Sequence, residues 1–151
     1  MSVLNRLVFI LVSALLTAGC EPEDQTPGLW VSGTAREFPS DCRFTNGHRE
    51  IALEVGTPYF IPHSITIWCA ELDGELYVAA ARPETKNWPG WVDDDPEVRL
   101  GIGDRIYEVK LVPITDASLI ARIRRGASAK YNRAPPPGDV AIRFWQVQPR
   151  S

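Results

Sequence analysis

Ser64-Ile65-Thr66-Ile67-Trp68-Cys69-Ala70-Glu71-Leu72-Asp73-Gly74-Glu75-Leu76-Tyr77-Val78-Ala79-Ala80-Ala81 is the stretch from which the fold can be read. Ser64 to Ala70 alternates around Ile65 and Ile67, Leu76 to Ala81 is a second β-type run, and Asp73-Gly74 stands between them. Asp-Gly tolerates the two left-handed conformations of a tight hairpin turn, so the stretch predicts two antiparallel strands. Pairing Leu72 with Glu75 sets Cys69 opposite Val78 and Ile67 opposite Ala80, which makes one face apolar and closely packed. Three successive alanines keep that neighbourhood small-sided. Either something flat can approach there, or a large residue such as Trp68 fills the gap.

Downstream, Gly103-Asp104 marks a second hairpin. Its register sets Arg99 opposite Glu108 and Glu97 opposite Lys110, leaving Val98, Leu100, Ile102, Tyr107 and Val109 on the other face. Thr115 or Asp116 can cap a helix that runs to about Tyr131. Leu119, Ile120, Ile123, Ala127 and Tyr131 fall within an arc of about 120° on that helix, the stripe expected against a sheet. Arg122, Arg125 and Arg133 point away, whereas Lys130 projects near Ile123, either snorkelling past the core edge or reaching for an anion. Pro135-Pro136-Pro137-Gly138 ends the unit, and Val140 to Val147 reads as a last strand with Val140, Ile142 and Phe144 inward. Upstream, Leu29 to Val31 and Ile51 to Val55 read as strands, with a turn near Asn46-Gly47. About six strands and one helix in residues 28–151 predict a mainly β (α+β) domain, a closed or half-closed antiparallel barrel with one packed helix.

The chain has 151 residues, about one domain, and its 44% hydrophobic and 23% charged residues exclude a disordered or collagen-like protein. A net charge of −3 argues against a nucleic-acid partner, which would call for a basic balance. Residues 1–19 read as an export signal: Arg6 supplies the positive end, and Leu7 to Leu16 is too short to span a bilayer of roughly 30 Å. Leu16-Thr17-Ala18-Gly19-Cys20 resembles the lipobox of bacterial lipoproteins, which implies cleavage before Cys20 and a thioether-linked diacylglycerol on its sulfur. An ordinary signal peptide with an accidental cysteine is the alternative. Cleavage removes Arg6 and no acid, leaving 15 basic against 19 acidic residues. Anchoring would therefore rest on acyl chains rather than on attraction to anionic headgroups. Glu21 after the lipidated position resembles the sorting pattern of Gram-negative outer-membrane lipoproteins that face the periplasm. Residues 20–27 form the tether; Glu21 to Pro27 reaches only about 23 Å when extended, so the domain works close to the bilayer.

Cys42 and Cys69 remain. In an oxidising compartment a Cys42–Cys69 disulfide is the default reading. Cys42-x5-His48 and His63-x5-Cys69 together offer four zinc-type ligands, but the short cysteine spacing of zinc folds is absent, and no metal site is assigned.

Between the hairpins lies a stretch from Arg82 to Pro96 that mixes cations, a hydroxyl, two indoles and an acidic run. Arg82, Thr85 and Lys86 can converge on a phosphate with Trp88 stacking on a ring, or they can belong to a solvated loop. Trp88 and Trp91 can equally plug one end of the barrel. Asp93 to Asp95 is most simply a turn-forming run. The Asp-Gly hairpin, the basic loop with tryptophans, Trp91-Val92-Asp93-Asp94-Asp95-Pro96-Glu97-Val98, the following hairpin and the Lys130-Tyr131 helix end together resemble the split β-barrels of the pyridoxamine-phosphate-oxidase type. They are most similar to the deazaflavin-dependent nitroreductase branch and its uncharacterised relatives, over about residues 64–131.

That resemblance implies an antiparallel split barrel, often a homodimer, with flavin mononucleotide or a deazaflavin beside the strands. It nominates Arg82, Thr85, Lys86 and Trp88 as cofactor contacts, with Trp68 or Thr66 lining the cleft. Two functions follow as expectations. One is a membrane-anchored envelope lipoprotein whose barrel binds a flavin-like phosphate-bearing ligand, or has lost it and uses Trp88 and Trp91 to touch a partner. The other is a flavin- or deazaflavin-dependent reductase of nitro- or quinone-type substrates. No nucleophile or metalloprotease motif points to another chemistry. The anchor has a direct check: Cys20→Ser should move the protein from the membrane fraction to the soluble fraction, and a variant that stays with the membranes contradicts lipidation.

Overall fold

The computed structural model describes residues 28–134 and 137–150. The expected signal peptide, Cys20 and the tether lie outside the described residues. Strands β1 (Thr34–Arg36), β2 (Glu50–Val55), β3 (His63–Leu72) and β4 (Glu75–Ala81) lead into helix α1 (Trp88–Asp94). Strands β5 (Glu97–Ile102) and β6 (Arg105–Ile114), helix α2 (Ala117–Tyr131) and strand β7 (Ile142–Pro149) follow. The order β6-β5-β2-β3-β4-β7 closes through β6–β7 pairing into an antiparallel barrel of six strands, and β1 adds in parallel beside Arg105–Tyr107 of β6. Closure removes the free edges that would otherwise invite pairing with another chain.

The hairpin at Asp73-Gly74 forms as its residues dictate, with both turn residues left-handed (φ 56° and 87°) and Leu72 paired to Glu75. Its ladder ends at Cys69–Val78, however, so Ile67 does not face Ala80. From there the first half of β3 pairs with β2 (Val55–His63 to Glu50–Trp68), while Tyr77–Ala81 of β4 pairs with β7. The barrel wall is therefore parted between Ile65–Trp68 and Ala79–Ala81.

The second hairpin has the expected register, Glu97 to Lys110 and Arg99 to Glu108. Its charges pair elsewhere: Arg99 lies 3.0 Å from both carboxylate oxygens of the buried Glu54, and Arg150 bridges Glu97 and Glu108. Strand register fixes which backbones are opposite, but long side chains reach past the residue opposite to other partners.

Leu53, Leu76, Val78, Leu100, Val109 and Trp145 fill the barrel. The stripe on α2 packs outside it, with Ile123, Leu119, Ile120 and Ala127 on Tyr77, Phe144 and Ile142. Ile142 and Phe144 thus face the helix rather than the interior, which belongs to Trp145 and Val147; Val140 precedes the strand. Asp116 caps α2 by accepting a hydrogen bond from Leu119 N–H at 2.6 Å.

Three other expectations change. Leu29–Val31 is not a strand: the Val31 N–H donates to the Glu54 carboxylate at 2.6 Å rather than to a ladder, and the preceding Gly28 N–H donates to Ser64 Oγ at 2.9 Å. The stretch 82–96 is not an open loop but a short 3₁₀ turn (Pro83–Thr85) followed by α1. Cys42 and Cys69 are buried free thiols instead of a disulfide. Cys42 Sγ lies 3.9 Å from the Pro39 carbonyl and Cys69 Sγ 3.3 Å from Lys130 Nζ. Burial, aided by Glu75, pushes the Cys42 thiol up to about 11; burial also raises Cys69, against the opposing pull of Lys130.

At the end of the β2–β3 ladder, the Tyr131 hydroxyl takes over the pairing. It accepts from Cys69 N–H (3.0 Å), and its proton has the Arg49 (2.7 Å) and Cys69 (2.9 Å) carbonyls as acceptors. Lys130 Nζ completes the patch by donating to the Thr45 and Cys69 carbonyls at 2.9 and 3.1 Å, so it neither snorkels nor seeks an anion. Tyr131→Phe should cost about 1–3 kcal/mol in denaturant unfolding, because a buried amide and carbonyl lose their partner; an unchanged midpoint would remove Tyr131 from this role. A second check concerns pH. The Arg143 guanidinium on β7 hydrogen-bonds Asp93 on α1 and holds its carboxyl below the ordinary carboxylate range. The contribution is present above the unfolded value of about 4 and is lost as pH falls through the lower folded value, so Arg143→Gln should flatten the acid limb of stability.

Candidate functional site

Where β3 and β4 part, the surface opens into a cleft of about 840 Å³. Thr66 and Trp68 line it from β3, Ala79–Ala81 from β4, Ile142 and Phe144 from β7, and Ile123, Arg124 and Ala127 from α2. Ala79, packed with the α2 stripe, and the exposed Ala81 are small side chains on this face, while Ala80 turns into the barrel core. The cleft's size is that of a site for a small organic molecule.

Aromatic and cationic groups stand in this apolar surround. Trp68, 43% exposed, stacks on Tyr131 with centroids 4.4 Å apart and planes 14° apart, and the Arg133 guanidinium lies 5.4 Å from its ring. Arg124 lies 5.7 Å from the Phe144 ring centroid, and its buried Nε has no hydrogen-bond partner among the described residues. An orphaned guanidinium N–H beside an apolar cleft is costly unless an acceptor comes to it. Lys86 also lines the cleft, its Nζ donating to the Ala81 carbonyl at 2.6 Å. Glu50 is the one carboxylate among the lining residues. Flat apolar walls with three cations suit a planar ring bearing a phosphate or another anionic group.

Of the residues nominated from sequence, Thr66, Trp68, Lys86 and Trp88 meet at the cleft. Trp88 does so from the barrel side: it is buried and tilts against Trp145 at 5.2 Å, which makes it a wall rather than a free stacking ring. Arg82 and Thr85 are exposed and do not line the cleft. Arg82 takes a left-handed conformation (φ 50°) before the 3₁₀ turn, and Thr85 Oγ donates back to the Arg82 carbonyl at 2.8 Å, so both serve the turn. Trp91 packs edge-on against Tyr59 and His63, away from the cleft-lining set. The zinc-type ligands do not assemble, since His48 packs against Phe44 and His63 against Trp91. Among the described residues no cluster of three or more His, Cys, Asp or Glu side chains could hold a metal ion.

Arg124, Arg133 and Tyr131 were missed as site residues. A signal existed for Arg124: at 3.6 residues per turn it stands only about 60° from Ala127, on the flank of the apolar stripe where an arginine needs a reason.

No protein-family profile and no curated protein matches this chain. Solved structures do. An F420-H2-dependent reductase aligns with TM-score 0.53 and 14% identity over 79% of this chain and all of its own. A Listeria innocua protein assigned as a pyridoxamine 5'-phosphate oxidase aligns with TM-score 0.53 and 16% identity, covering 70% of this chain and 86% of that one. A structure described as a domain-swapped dimer aligns with TM-score 0.53 and 13% identity over 95% and 98% of the two chains. At these identities the likeness is one of fold, and the fold is the split β-barrel of the pyridoxamine-phosphate-oxidase type.

Proposed function

We propose that this chain is an envelope lipoprotein, anchored through acylated Cys20 and facing the periplasm from the outer membrane, whose split barrel binds a flavin-like phosphate-bearing ligand in the cleft between β3 and β4. One observation carries the ligand reading: the buried Arg124 Nε, without a hydrogen-bond partner among the described residues, at the wall of an apolar cleft that Ala79 and Ala81 leave open. Ala79–Ala81 and Trp68 would take the ring system, and Arg124, with Lys86 or Arg133, its anionic part. The likeness to an F420-H2-dependent reductase favours a second reading of the same cleft, reduction of nitro- or quinone-type substrates. The bound flavin or deazaflavin would then supply the hydride chemistry, and this chain would supply orientation and exclusion of water. The domain-swapped neighbour supports a homodimer.

Titrating flavin mononucleotide into the Cys20→Ser protein tests the cleft. Binding in the micromolar range is expected, about tenfold weaker in Arg124→Gln, a loss of about 1.4 kcal/mol. Ala81→Trp, at an exposed position on the cleft, should block binding without unfolding the barrel. Absent binding, or affinity untouched by both substitutions, overturns the reading.

A further inference from the structure

The largest exposed apolar groups cluster away from the cleft, at one end of the barrel. The β2–β3 connection, which follows the Val55–His63 pair, carries Tyr59, Phe60 and Ile61, with Phe60 96% exposed. The segment entering the barrel carries Leu29 and Trp30, the indole 64% exposed. One contact joins the two: Ser64 N–H donates to the Gly28 carbonyl at 2.8 Å while Gly28 N–H donates to Ser64 Oγ at 2.9 Å. The exposed groups therefore lie within a few residues of that contact on both sides.

The connection is built to hold Phe60 outward. Phe60 sits in the left-handed region at φ 61°, a conformation a bulky residue avoids. The turn is closed by Phe60 N–H to the Thr57 carbonyl at 3.1 Å and by Thr57 Oγ to the Ile61 carbonyl at 2.6 Å. Pro58 and Pro62 stiffen it. Such a turn spends backbone strain on exposing an aromatic ring that could otherwise fold back.

We infer that Leu29, Trp30, Tyr59, Phe60 and Ile61 form a bilayer-contacting edge that rests in the interfacial zone of the membrane holding the acyl chains of Cys20. The inference deepens the anchor reading and rests on it. Reach sets the orientation: Gly28, bonded to the edge, is where the tether joins the barrel, and Glu21 to Pro27 extends at most about 23 Å. A domain of this size has a radius of gyration of about 14 Å, so it is wider than its tether is long and must present its attachment end to the bilayer. Trp and Tyr have the apolar body and polar tip that settle at the headgroup level, and Phe, Ile and Leu supply the apolar depth. The edge carries no lysine or arginine, and Asp95 lies beside Gly56 at its rim, so contact is hydrophobic and needs no anionic lipid.

The test uses the acylated full chain. Phe60→Cys, labelled with bimane, exchanges one apolar group for another, and Cys42 and Cys69 are buried against the reagent. The reference is Asp104→Cys, at the β5–β6 turn near His48, the opposite end of the β2 ladder. The labelled proteins are placed on phosphatidylcholine vesicles whose acyl chains are brominated or plain. Bromine should quench bimane at 60 by about twofold or more, at low and high salt alike, and leave bimane at 104 unaffected. Equal signals with brominated and plain lipid at position 60 overturn the inference. So does bimane at 60 that is shielded only as protein concentration rises, which would mark a contact between copies. A chain whose mass shows no acyl group on Cys20 fails the anchor and the inference together, whereas an acylated, vesicle-bound chain with unquenched bimane fails the inference alone.

Discussion

One strand changes partners, and most of the molecule follows from it. β3 pairs with β2 up to Trp68 and with β4 from Cys69 on, so its two halves belong to different parts of the barrel wall. A switch of this kind leaves backbone groups at the crossing point without a ladder, and buried amides and carbonyls must find partners. Tyr131 meets that need at Cys69 and Arg49, and Lys130 at Cys69 and Thr45. The C-terminal turn of α2 is thereby pinned to the point where the wall parts, and the helix lies along the opening. The cleft is what remains between the helix stripe and the small outward residues Ala79 and Ala81.

Two tryptophans make the arrangement stable without closing it. Trp145, fully buried, fills the barrel, and Trp88 packs against it from α1. An opened wall would otherwise admit water to the interior; an indole wedge of about 200 Å² excludes it while leaving the outer side of β4 accessible. Asp93 and Arg143 then tie α1 to β7. The interior is sealed by side chains, and the cleft is an external feature with its own lining.

Local patterns carried most of this architecture. Both hairpins were legible because turn chemistry and cross-strand pairing agreed on one register, and α2 was legible because its cap and its stripe agreed on one start. The parting of β3 from β4 was not legible, since Ile67 and Ala80 are as suited to pairing as Cys69 and Val78; only the competition of β2 and β7 for the same strands decides it. The candidate site was half visible for the same reason. Trp68, Thr66 and the alanines lie on the hairpin that announces the fold, while Arg124 comes from helix α2 and Arg133 from the residues just after it, more than 40 residues later in the chain. Arg82 and Thr85 stand off the cleft lining because a cation and a hydroxyl three residues apart can also close a turn, as they do here. The thiols misled because an even cysteine count says nothing of which way each Sγ points.

The cleft lies in the barrel's side wall and the apolar edge at the β2–β3 end, and the two regions treat their apolar surface differently. One region keeps its apolar surface recessed beneath a helix and flanked by cations; the other holds it out on a stiff turn beside the chain's entry. Under the proposed anchoring, the recessed cleft would stay clear of the contact edge and open to a small anionic aromatic compound from the aqueous side. Amide hydrogen exchange with and without flavin mononucleotide tests this most directly. The account predicts slowed exchange in peptides covering 64–69 and 123–128, on the two sides of the cleft, with the 97–110 hairpin unchanged. Uniform exchange in both conditions, or protection confined to residues 82–86, would contradict it.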